Sequence, residues 1–138
     1  MNIKYEIIEI PNSNQKTYLV AYLEGTMKIF IEDVLFFNQS NILLLEFAVT
    51  INSWLRDVKS GKDTDFIYET MDHEEPIITI KQVQREEYEI DSIWKEENVE
   101  KTIISKSEVV ISFQNYLEEL NKTIKTKINI ELKDIPNW

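Results

Sequence analysis

Residues 3–10 are a run of apolar and polar positions dominated by β-branched and aromatic side chains, and apolar and polar positions alternate through 28–31, which predicts strands. Residues 17–23 form a similar run. The turn formers Pro11, Asn12, Ser13 and Asn14 lie between the first two runs, so these are expected to make a hairpin. Glu24-Gly25-Thr26 is a second turn signal and Glu32-Asp33 a third, before a further strand over 34–37. The first third of the chain therefore reads as an antiparallel meander.

The period then lengthens. Leu44, Phe47, Ala48, Ile51, Leu55 and Val58 recur at helical spacing, with Ser40 or Asn41 placed as N-cap and Gly61 as the left-handed stop. Leu43, Leu45, Val49 and Trp54 widen the stripe, so this helix is expected to be central, packed between a sheet and another element. Beyond the charged loop 62–65, residues 66–68, 77–83 and 87–94 read as a second meander, with Gln84-Arg85-Glu86 as a turn. Ser105 and Glu108 have the spacing of a capping box, and Val109, Phe113, Leu117, Leu120, Ile124 and Ile128 trace one stripe of a C-terminal helix that can cover the open sheet. Residues 130–138 read as an irregular tail. The expected architecture is α+β, one domain over 1–138, with antiparallel meanders, a central helix and a C-terminal helix packed on the sheet.

Composition narrows the chemistry. Among 138 residues there is no Cys, one His and only two Gly. Disulfides, thiolate metal sites and Cys nucleophiles are excluded, as are multi-His metal motifs and glycine-rich phosphate loops. No cofactor and no metal is expected. A formal net charge of -10 opposes nucleic acid binding, which depends on Lys and Arg releasing counterions from phosphates. Lys4, Glu6 and Glu9 interrupt any signal-peptide core, and the densest apolar stretch, 42–51, contains Glu46 and is too short to span a bilayer. A cytoplasmic protein with no membrane partner is expected.

The charge is not spread evenly. Residues 63–100 hold 13 acids and three bases, while the rest of the chain is balanced, so this segment carries the entire net charge. Within it Glu87, Glu89 and Asp91 alternate with Tyr88 and Ile90, which puts three carboxylates on one strand face about 6.8 Å apart. Such a face is either plainly solvated or a docking surface for a basic protein.

A second constellation is Tyr68-Glu69-Thr70-Met71-Asp72-His73-Glu74-Glu75-Pro76. Asp72, His73 and Glu74 have the chemistry for a divalent metal or an acid–base pair, yet neighbours in an extended segment point to opposite faces. The competing expectation is a surface turn in which Asp72 caps backbone amides and His73 bonds locally. Glu46, inside the apolar helical run, is read as a residue on a narrow exposed strip, as a core-edge group paired with Lys or Arg, or as a buried catalytic carboxylate of raised pKa. Trp54, Phe47 and Phe113 read as core. Phe36, Phe37, Trp94 and Trp138 are less constrained, and any of them exposed beside the acidic surface would anchor an interface.

The run from Phe66 through Tyr68, Asp72, His73, Pro76 and Ile77, preceded by Trp54-Leu55 and Gly61 and followed by Ser92-Ile93-Trp94, resembles a group of small acidic proteins of Gram-positive bacteria. These are similar in size and style to immunity proteins of polymorphic toxin systems. The resemblance implies a cytosolic antitoxin that binds a cognate toxin, often a nuclease, and blocks its active site. It transfers no residue role. The expected function is a non-enzymatic inhibitor of a basic toxin, with Glu69, Asp72, His73, Glu74, Glu75, Glu87, Glu89 and Asp91 as partner-binding residues. Two alternatives stay open: a small metal-dependent or carboxylate-based enzyme centred on Asp72, His73 and Glu74, and a structural or oligomerisation module such as a homodimer.

Overall fold

The computed structural model describes residues 1–12 and 15–138. Its first strand, β1 (Asn2–Glu9), buries Ile3 and half-buries Tyr5 and Ile7, while Lys4 and Glu6 face solvent as the period-two pattern requires. The next run departs from expectation. Residues 17–23 are not a strand, because Lys16–Tyr22 form a short helix, α1. Its buried side chains explain why: Leu19 and Leu23, four apart, go inward, and Tyr18 and Tyr22, also four apart, stack outside with ring centroids 4.4 Å apart. The expected hairpin is absent, and Ser13 and Asn14 of its turn lie outside the described residues.

β1 pairs instead with β2 (Glu24–Ile31), antiparallel, with Ile3 opposite Ile29. Glu24-Gly25-Thr26 is therefore strand rather than turn. A Cβ on Gly25 would lie 2.5 Å from the Glu6 carbonyl oxygen and 2.6 Å from Leu44 Cδ1, so glycine is needed for close approach, not for a bend. Glu32 and Asp33, at φ 50 and 64, make the expected two-residue turn into β3 (Val34–Leu43).

The central helix, α2 (Leu44–Lys59), follows β3 directly. Ser40 and Asn41 belong to β3 and do not cap it. Leu43 stands at the cap without a side-chain bond, and the Leu44 N–H donates to the Leu23 carbonyl at 3.0 Å, a tertiary partner doing what a capping side chain would do. The other end is as expected. Gly61 has φ 85, its N–H donates to the Val58 carbonyl and that of Lys62 to the Asp57 carbonyl, the two bonds of a Schellman motif.

The second sheet has the antiparallel order β4 (Phe66–Tyr68), β5 (Ile78–Gln84), β6 (Glu87–Ser92) and β7 (Thr102–Ser105). β7 is unanticipated, since four residues with Ile104 alone buried leave little periodicity to read. Helix α3 (Lys106–Ile128) starts where Ser105 Oγ accepts the Glu108 N–H at 3.2 Å; the Glu108 carboxylate is engaged by the Met1 amino group. Val109, Phe113, Leu120 and Ile124 are buried with Ser112 and Tyr116, and Leu117 and Ile128 pack at the margin.

The protein is α+β, with two antiparallel sheets and the C-terminal helix packed on strand edges of both. The buried side chains of α2 and α3 join those of both sheets in one apolar cluster. Phe47 of α2 meets Phe66, Tyr68, Phe113 and Tyr116 edge to face, at centroid distances of 4.9–6.3 Å. The sheets touch at an isolated antiparallel bridge between Phe37 and Lys95, beside which the Glu96 N–H donates to the Phe36 carbonyl at 2.8 Å.

Candidate functional site

The residues singled out in the sequence fall in two places. Glu87, Glu89 and Asp91 share the outer face of β6, with Tyr88, Ile90 and Ser92 buried between them. That face is largely neutralised. Lys101 Nζ lies 3.2 Å from Glu89, Lys95 Nζ lies 3.0 Å from Asp91, and Lys81 stands opposite Glu89 across the ladder. Of the three carboxylates only Glu87 has no cation within 4 Å among the described residues. The exposed Ile67 and Ile103 share this outer face.

The second place is the loop between β4 and β5, which leaves Glu69, Asp72, His73, Glu74 and Glu75 exposed. The His73 N–H donates to the Thr70 carbonyl at 3.3 Å, and His73 Nδ1 shares a 2.8 Å hydrogen bond with Thr70 Oγ1. Its ring meets Trp94 edge to face at 4.7 Å. His73 bonds locally as expected, held by Thr70 and Trp94, but the Asp72 carboxylate caps no backbone amide among the described residues. Among the described residues, Glu69, Asp72, Glu74 and Glu75 have no Lys or Arg within ion-pair distance, and no group of three or more His, Asp or Glu is assembled to hold a metal ion.

Behind this loop lies a cleft of about 370 Å³, walled by α1, the start of β2, the end of β3, β4 and Trp94. Glu24 and Asp72 contribute carboxylates, Tyr22, Tyr68 and Trp94 contribute rings, and no Lys or Arg lines it. A residue that sequence reasoning missed assembles this wall. Ser92, 5% exposed, donates from its hydroxyl to the Ile77 carbonyl at 2.6 Å and accepts the Trp94 N–H at 3.0 Å. Ile77 in turn donates its N–H to the Tyr68 carbonyl at 2.7 Å. The available signal was a serine at an inward position of an alternating strand, where a polar group must find partners.

Glu46 joins the same neighbourhood from α2. It is half-buried with no Lys or Arg partner among the described residues, so the expected ion pair is not there. Burial, and then the Asp72 charge, hold its carboxyl above the usual range. Tyr68 is 1% exposed, and its phenol is pushed up by burial and then by Glu46. Of the unassigned aromatics, Phe36 and Phe37 are core, whereas Trp94 is half-buried in the cleft wall.

Fold and site together define an α+β protein with an aromatic cleft between its two sheets that is lined by carboxylates and by no Lys or Arg. The chain belongs to the family described as a domain of unknown function (DUF7878), whose model matches residues 1–126. No curated protein and no solved structure matches it. No helix among the described residues is long and apolar enough to cross a membrane.

Proposed function

We propose that this chain is a non-enzymatic protein-binding module, an immunity protein that neutralises a basic toxin, such as a nuclease, by docking the toxin's cationic surface on its acidic loop. The observation that carries the reading is the cluster Glu69, Asp72, Glu74 and Glu75, exposed and without ion-pair partners among the described residues. Unpaired carboxylates keep their field for an incoming cation, whereas Glu89 and Asp91 already spend theirs on Lys101 and Lys95. Complementary charge speeds association and rejects wrong partners, and rings such as Trp94 supply contact area. The proposed surface, expected from Glu69 through Asp91, thus narrows to the β4–β5 loop.

Co-expression with the basic product of an adjacent gene tests this. The expected result is rescue of growth and a complex that weakens with added salt. Replacing Glu69, Glu74 and Glu75 by Gln and Asp72 by Asn should slow association about tenfold or more at low ionic strength. A fourfold-neutralised variant that associates as fast as the wild type would sink the proposal.

A further inference from the structure

The cleft holds a polar group that the fold leaves unused. Tyr68 is 1% exposed and lines the cavity, yet its hydroxyl is hydrogen-bonded to none of the described residues. The hydroxyl is open to the cavity rather than sealed from solvent, so it is free to bond to a group that enters. The phenol also stays protonated, because burial and the Glu46 carboxylate both oppose its ionisation.

The rest of the wall specifies what enters. Glu24 and Asp72 are carboxylates without a cation within 4 Å among the described residues, and Trp94 and Tyr22 present rings. The cavity of about 370 Å³ suits a single side chain rather than a helix or strand. Carboxylates with aromatic walls select a cation, and a flat one above others, since a guanidinium both forks onto carboxylates and stacks on rings. Trp94 is fixed by Ser92 and abutted by His73, so that part of the wall is pre-organised.

We propose that the cleft is the receptor for one arginine side chain of the basic partner, with Glu24 and Asp72 taking the guanidinium charge, Trp94 and Tyr22 flanking it, and Tyr68 Oη accepting one of its N–H groups. This rests on the basic-partner reading and narrows it to an anchor residue.

Two probes separate the claims: Nα-acetyl-L-arginine methylamide, followed by NMR at the Trp94 indole and the Tyr68 ring, and a hexa-arginine peptide, followed by calorimetry in low salt. The citrulline analogue serves as the uncharged control. The expected result is that the arginine probe shifts Trp94 and Tyr68 signals while citrulline does not. Hexa-arginine affinity should fall about tenfold in the Glu24→Gln/Asp72→Asn variant, and several-fold in Tyr68→Phe, which removes only the hydroxyl. The Glu32→Gln variant, at the far end of β2 from Glu24, should bind as the wild type does. If hexa-arginine binds but neither the cleft variants nor the cleft signals respond, the arginine receptor is wrong and the acidic-surface reading survives. If neither probe binds, the basic-partner reading falls, and the receptor with it.

Discussion

At the scale of single residues, Glu46 is a carboxylate that burial and the nearby Asp72 charge make harder to ionise. The raised pKa means that, between the unfolded value of about 4.3 and the higher folded value, the native state holds more protons than the unfolded one. Stability attributable to this group therefore falls as pH rises through that window, and above it the charged carboxylate opposes folding. Glu46→Gln should raise the melting temperature at pH 7, and the gain should shrink toward zero as pH approaches 4; a lower melting temperature at pH 7 would refute this. Glu131 has the opposite sign, since Lys133 and then Lys125 lower its pKa, so its contribution is present above the unfolded value and lost on acidification. The oddity of Glu46 was visible in the apolar run around it. Its neighbours were not, because Asp72 is 26 positions away and only the packing of the β4–β5 loop over α2 makes them interact. Ser92 was hidden for a similar reason, as its bond to the Ile77 carbonyl depends on strand register.

At the scale of elements, long periodic segments were legible and short ones were not. The central helix and α3 carry enough turns for a stripe to be read, β1 is a strand as its run predicts, and the alternation of β6 survived intact. The α1 run misled because a seven-residue helix with one buried position, followed by Leu23 at its C-cap, offers too few repeats to tell a period of four from a period of two. Glycine misled at one site and not at the other. Gly61 sits at positive φ with open space around it, whereas Gly25 is hemmed in by the Glu6 carbonyl and Leu44. Gly25→Ala must therefore push backbone or α2 aside and should destabilise by about 1–3 kcal/mol. Gly61→Ala should cost about 1 kcal/mol, from backbone strain alone. Urea titrations in which the midpoints shift in that order, with the slopes unchanged, would bear this out; a neutral Gly25→Ala would not.

At the scale of the whole molecule, the balance of charge was legible only as a total for a segment. Lys101 and Lys106 lie outside residues 63–100 but reach back to Glu89 and Asp63, so the field is redistributed by folding. Among the acids left unpaired are Glu24 and Asp72, which line the cleft at the seam between the sheets. One apolar cluster runs through that seam, and α3 ties β1 to it through the 2.7 Å hydrogen bond shared by Tyr5 and Thr123. Thermal unfolding should therefore be a single transition, with the aromatic signal around Trp54 and the backbone signal coinciding. Two separated transitions would mean that the sheets melt independently.

The Phe37–Lys95 bridge has one more consequence, for behaviour in a crowded solution. Strand β3, at ten residues the longest in the fold, lies at the margin of its sheet and would otherwise offer an open template for a neighbouring molecule to zip onto. Lys95 and Glu96 occupy part of that margin, α3 lies against β1 on the opposite side, and the outermost strands of the other sheet, β4 and β7, are only three and four residues long. The arrangement that brings the cleft walls together thus also blunts the edges through which β-rich proteins assemble into fibres.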